Sequence, residues 1–295
     1  MIAIVRQELR DALRNRWLGG YAAALALLGL VAAWAGLRGS EGMALQTFGR
    51  TSATLTNLCL FLAPLVSLVL GASAIAGERD RGTLEYLLAQ PVTRAEVVLG
   101  KYLGLLLSLA GATLVGFAPA GALIASRAGG VALAHFLVFP LISILLVASM
   151  LALGLLLSAR AATAVAAQGL AVLTWFALVL LYDLVLLGVL VGAGVGPATL
   201  AVLLLANPVD AARILVVLAL EPDLYLLGPA GAWLLGQLSA PGTAVLLAGA
   251  VLGWAAIGLG TTLWLFRSPR QADVRSPAFR ALATTHRFTL DSGPS

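Results

Sequence analysis

Charge is what this sequence has least of. Only 11% of its 295 residues are Asp, Glu, Lys or Arg, against roughly 25% in a soluble domain. Hydrophobic residues make up 61%, and the mean hydropathy is +1.01. A soluble single-core fold is thereby excluded. There is one cysteine, Cys59, inside an apolar run, so no disulfide framework can form. Met43, Met150 and Cys59 are scattered and make no soft-metal ladder. The stretch Gly100-Lys101-Tyr102 lacks both the upstream glycine and the Ser or Thr of a phosphate-cradling loop. There is no H-E-x-x-H, no C-x-x-C, and no serine, histidine and aspartate constellation of a hydrolase. No catalytic residue, metal site or bound cofactor is expected in this chain. The first apolar run lacks an A-x-A site, so no cleavable signal peptide is expected either.

What is present is a series of continuously apolar runs, each long enough to cross a hydrocarbon core of about 30 Å. They do not alternate, which argues against a β-barrel. The expected fold is all-α, an integral membrane protein with six transmembrane helices at about 17–37, 55–76, 95–124, 131–157, 163–190 and 243–266. Residues 1–16 read as an amphipathic interfacial helix. Ile2, Val5, Leu9 and Leu13 recur at helical spacing, and Arg6, Arg10 and Arg14 suit anionic lipid. A solvated arm is the alternative. Trp17 and Tyr21 sit where an aromatic belt would. Gln46 and Arg50 fall in a polar loop, and Pro64 predicts a kink near Ala63. Residues 267–295 form a basic tail.

Between the second and third spans lies a charged island, Gly77 to Glu96. Glu78, Arg79, Asp80 and Arg81 lead into it. Leu84, Leu87 and Leu88 then fall at i, i+3 and i+4, a short apolar stripe. Gly82 breaks the helix, Pro91 ends the next one, and Thr93 to Glu96 is a capping box opening the third span. That span is longer than a bilayer core, so its first turns, with Lys101, are expected in the cytosol.

Residues 193–242 hold apolar stretches too broken for clean spans. They read as outer re-entrant or interfacial helices, with a pair of extra spans as the alternative. Asn207-Pro208-Val209-Asp210 is a helix start: Asn caps, Pro fits the first position, and Asp favours the positive dipole end. Arg213 follows one turn later. Asp183 is the exceptional charge inside a span. It is either a functional intramembrane carboxylate or a group near the outer end that is hydrated or bonded to a neighbouring helix.

Orientation follows from charge. With both termini cytosolic, fourteen of the 18 Lys and Arg lie inside, and Arg38, Arg50, Arg127 and Arg213 lie outside. This places the island in the cytosol and puts His135 and His286 on opposite sides, unable to share a metal. The basic pI of about 10.0 thus reflects topology, and no nucleic-acid partner is expected.

Glu78-Arg79-Asp80-Arg81-Gly82-Thr83-Leu84-Glu85-Tyr86-Leu87-Leu88, followed by Pro91-Val92-Thr93-Arg94 and Gly100-Lys101, resembles the signature of ABC-2 type permeases. The six-span layout, with an outer helical region before the last span, matches as well. Arg14-Asn15-Arg16-Trp17, Tyr182-Asp183-Leu184 and Asn207-Pro208-Val209-Asp210 are similar to the copper-processing permease that serves nitrous oxide reductase maturation, the Nos-type branch. The resemblance implies a bacterial inner-membrane permease, a second copy of the chain as partner, and a separate ABC ATPase holding ATP and Mg. It also implies that residues 78–94 are the coupling helix. Leu84, Leu87 and Leu88 would anchor it on the ATPase, with Glu78, Arg79, Arg81, Thr83, Glu85, Pro91 and Arg94 around them. A solvated loop is the alternative.

The spans carry few metal ligands. Within the Nos-type branch the chain is therefore expected to pass ATPase motion to a periplasmic copper-handling protein rather than ligate copper. The rival readings are an ABC-2 exporter of lipid or hydrophobic drug and a stand-alone ion-coupled carrier using Asp183.

Overall fold

The computed structural model describes residues 2–13, 15–38, 44–83, 93–192, 195–220 and 228–267. All elements among them are helical. This is the expected solution in lipid, where backbone groups must be satisfied within each segment. Helix α1 (Ile2–Leu13) precedes α2 (Arg16–Arg38) and α3 (Ala44–Asp80). Helices α4 (Arg94–Arg127) and α5 (Gly129–Arg160) follow, reversing at Gly129, where φ is 82°. A residue with a Cβ is strained in that conformation. The pair runs antiparallel, with Phe117 edge-on to Phe136 and the Tyr102 hydroxyl donating to the Ala148 carbonyl at 3.1 Å.

The next span is built from α6 (Ala164–Phe176), a π-helical turn (Ala177–Leu181) and α7 (Tyr182–Gly192). Then come α8 (Pro197–Ala206), α9 (Pro208–Leu220), α10 (Gly228–Gln237) and α11 (Ala240–Arg267). Six helical stretches among the described residues are long and apolar enough to cross a membrane: Arg16–Ala35, Leu60–Asp80, Arg94–Arg127, Gly129–Arg160, Ala164–Val189 and Ala240–Phe266. Helices α8 and α9 are bent 111° from one another, the geometry of a broken or re-entrant segment.

Two apolar clusters share α3 and α5. One gathers Leu25, Ile75, Leu109, Leu151 and Leu155, and the other Leu68, Leu146, Met150, Ile214 and Val251. The α3–α5 crossing is backbone on backbone. A Cβ at Gly154 would lie 2.5 Å from the Leu68 carbonyl oxygen, and one at Gly71 would lie 2.7 Å from that of Leu151. One turn on, the Ser158 hydroxyl oxygen accepts from the amides of Ile75 and Ala76 at 3.0 and 2.8 Å. Small residues are what allow such an approach, because lipid supplies no hydrophobic drive between helices.

Several local expectations are corrected. Tyr21 is buried, with its hydroxyl 3.0 Å from that of Thr113, so it packs between α2 and α4 instead of in an aromatic belt. Gln46 and Arg50 lie on α3, which begins well before the apolar run. Pro64 is not among these: it sits inside α3 as expected, and the Ser67 hydroxyl donates to the Ala63 carbonyl at 2.6 Å. The packed face of α1 is centred on Ile4 and Glu8, and Ile2 of the expected stripe is exposed.

Candidate functional site

The island begins where α3 stops. Asp80 is the last helical residue, and Gly82 takes a left-handed φ of 69°, its amide donating to the Arg79 carbonyl at 3.1 Å. This is how a helix C-terminus is closed with glycine. Thr83 folds its hydroxyl back onto the Glu78 carbonyl at 3.3 Å. On the other side the capping box is formed as the spacing predicts. The Thr93 amide donates to Glu96 Oε2 at 2.9 Å, and the Glu96 amide donates to Thr93 Oγ1 at 3.2 Å. The two ends of the turn are thus both locked. Leu84, Glu85, Leu87, Leu88 and Pro91 lie outside the described residues.

The charges at the base of the turn do not fan outward. Glu78 is buried, and its Oε1 accepts from Lys101 Nζ at 2.6 Å. The same Nζ reaches Glu8 Oε1 of α1 at 2.5 Å, and Lys101 is only 2% exposed. Arg79 donates through Nη1 to the Ala161 carbonyl at 2.5 Å, just past the end of α5. Asp80 Oδ2 accepts from the Ala164 amide at 2.7 Å, in the first turn of α6. Arg94 donates to the Phe266 carbonyl at 3.1 Å, in the last turn of α11. Cations at carbonyl ends and a carboxylate at an amide end each offset a helix dipole.

Glu78 and Arg79 are turned into the bundle, and Lys101 is enclosed rather than projecting. The reason is that these three groups serve as ties between helices. Arg81 and Thr83 stay exposed.

A second polar cluster lies about 28 Å farther along the α6–α7 span, taking 1.5 Å per residue from Ala164 to Asp183. Asn207 caps α9 as its sequence predicts, accepting the Val209 amide at 3.0 Å. Its Nδ2 donates to Asp210 at 3.0 Å and to the Leu178 carbonyl at 2.7 Å. Leu178 belongs to the π-helical turn, so the cap of α9 is joined to that irregularity. Arg213 Nη1 lies 3.0 Å from both Asp183 Oδ2 and Asp210 Oδ1. Asp183 is thus bonded to a neighbouring helix. The Tyr182 hydroxyl adds a 2.7 Å bond to the Leu203 carbonyl of α8. Together these bonds hold the bent α8–α9 pair against α7. Among the described residues, no three His, Cys, Asp or Glu side chains gather as a metal site. His135 is exposed beside the Val131 carbonyl, and His286 lies outside the described residues.

Residues 2–269 match the ABC-2 family transporter protein family. The chain belongs to that family. It is similar to a protein named "Probable ABC transporter permease protein NosY" from Pseudomonas aeruginosa. The two are 42% identical over 218 residues, which is 72% of this chain and 79% of the relative. A protein of the same name from Stutzerimonas stutzeri is 40% identical over the same shares.

Three features of this ABC-2 permease were not singled out from its sequence. Glu8 stands four residues after the buried Ile4 and points with it into the bundle. Gly104 looks like one small residue among many, yet a Cβ there would lie 2.5 Å from Glu8 Cβ. Ser158, near the end of α5, bonds two α3 amides. An available signal was the lone Lys101 in an otherwise apolar run, since a lysine so placed demands an acid partner.

Proposed function

We propose that this chain is the transmembrane permease subunit of an ABC transporter of the bacterial inner membrane. It couples ATP hydrolysis by a separate ATPase to transport or mechanical work, in copper delivery for nitrous oxide reductase maturation. The coupling element is the 78–94 segment, with the 84–88 stripe as the face offered to the ATPase. What carries this reading is the construction of its base. Glu78, Arg79, Asp80 and Arg94 are bonded to α4, to the end of α5, to the start of α6 and to the end of α11. A push on a loop fastened in this way reaches four other helices. A solvated inter-span loop has no need of such fastening.

The copper branch rests on the two NosY relatives. The permease acts here as a lever for a periplasmic copper-handling partner, with ATP and Mg on the ATPase and a second copy of the permease completing the pathway. An exporter of lipid or hydrophobic drug is the competing reading. It is favoured by an apolar groove of about 290 Å³ between α4 and α5, lined by residues including Leu114, Phe117, Phe136 and Pro140.

The docking face is tested by Leu87→Asp. The variant permease should insert in the membrane but lose the co-purifying ATPase, and an intact complex would refute the docking assignment. The branch is tested by deleting the gene in its host and measuring the copper content of nitrous oxide reductase. Copper-depleted reductase, restored by the intact gene but not by Leu87→Asp, is expected. Fully loaded reductase in the deletion strain would turn the reading toward export of an apolar cargo.

A further inference from the structure

The enclosed ammonium of Lys101 touches both the end of α3 and the N-terminal helix. Glu78 is in the last turn of α3, four residues before the closing Gly82, and Glu8 is in the middle of α1. The ammonium is nearly inaccessible, and its bonds to the two carboxylates are 2.6 and 2.5 Å. One positive charge thus holds two negative ones, and Glu78 Oε2 has no hydrogen-bond partner among the described residues. A buried excess of acid is costly, and it persists only where the geometry matters. Gly104, one turn along α4 from Lys101, seats α1 at the same place. A Cβ at 104 would collide with Glu8 Cβ at 2.5 Å and approach the Val5 carbonyl oxygen to 3.1 Å. Two independent features, a shared ion pair and a missing side chain, therefore fix α1 to the first turns of α4. The exposed face of α1 carries Arg6, Gln7, Arg10 and Asp11.

We infer that Lys101 is a positioning residue that makes α1 part of the force path: motion imposed on the turn is passed to α1 through the ammonium shared by Glu78 and Glu8. This deepens the function proposed above and rests on the turn being the ATPase dock. It gives α1 a role beyond that of a surface anchor. When the dock moves, α1 moves relative to the far end of α4, and without the shared ammonium it does not.

The test uses the full permease–ATPase complex in lipid nanodiscs, with Cys59→Ser as background. Spin labels are placed on cysteines at Gln7 on α1 and at Arg127 at the far end of α4, both exposed. The distance distribution is measured without nucleotide and with ATP and Mg held by an ATPase that cannot hydrolyse. The lock predicts a nucleotide-dependent redistribution between the two distances of about fivefold, the low end of ordinary coupling between sites. It predicts loss of that response in Lys101→Met and in Glu8→Ala, with the ATPase still co-purifying. Glu8→Ala keeps Lys101 paired with Glu78 and leaves no charge stranded, so it serves if Lys101→Met fails to fold. A nucleotide response that survives in Glu8→Ala, or one absent from the unsubstituted pair, overturns the lock and leaves the docking reading standing. Failure of the ATPase to bind the intact permease overturns the docking reading itself and the lock with it.

Discussion

At one end of the bundle Lys101 sits between Glu8 and Glu78; at the other, Arg213 sits between Asp183 and Asp210. Both clusters give one cation to two carboxylates, but their settings differ. The Lys101 side chain is 2% exposed, and its partners come from α1 and α3. The Arg213 side chain is 30% exposed and that of Asp183 is 38% exposed, while Asp210 comes from its own helix three residues away. A buried ion pair carries a desolvation cost that only good geometry offsets, and removing one member strands the others. Arg213 and Asp210 belong to one helix, so that half of the second cluster joins no distant elements. The first cluster therefore dictates where three helices meet. The second tacks the bent α8–α9 pair to α7, with Asn207 and its bond to the π-helical turn sharing the task.

Substitutions at both ends can break this contrast. Lys101→Met leaves Glu8 and Glu78 facing one another without a cation. It should destabilise the permease most, by about 3–5 kcal/mol, read as a large fall in the thermal midpoint of the detergent-solubilised protein. Gly104→Leu forces a side chain into the α1 contact and should cost about 1–3 kcal/mol, as overpacking does. Its expected signature is faster tryptic cleavage within α1 while α2–α11 stay protected. Arg213→Met leaves the buried Asp210 with Asn207 as partner and should cost about 1–2 kcal/mol. Asp183→Asn should cost least, under about 1 kcal/mol, because an amide oxygen at this half-exposed site still accepts from Arg213. Reductase copper loading should be unchanged in Asp183→Asn. A large loss there would reverse the ranking and revive an ion-coupled carrier. Equal losses for Lys101→Met and Arg213→Met would remove the distinction between the two ends.

Much of the architecture was legible because it depends on local chemistry. Continuous apolar runs placed the six membrane-length helices. Thr93 and Glu96, three residues apart, could only serve as a capping box, and Asn207-Pro208 could only open a helix. The residues at the base of the island were harder to read. Sequence shows that Glu78, Arg79 and Lys101 are charged, but not that the free carbonyl of Ala161 lies beside Arg79 or that Glu8 arrives beside Lys101. Those partners are 82 and 93 positions away. A charged residue beside a membrane segment reads as solvated by default, because the helix ends that would bind it are set by tertiary packing. Asp183 shows the same limit. Nothing in the sequence shows that α9 brings Arg213 to within 3.0 Å of it.

The island's base is fastened to the bundle, and the proposal above assigns the 84–88 stripe to the ATPase. A photo-reactive amino acid placed in turn at 78, 79, 81, 84, 87 and 88 in the native complex tests it directly. The account predicts ATPase cross-links from 84, 87 and 88, a weaker one from 81, and none from 78 or 79. Cross-links from 78 and 79 with none from 87 would contradict it.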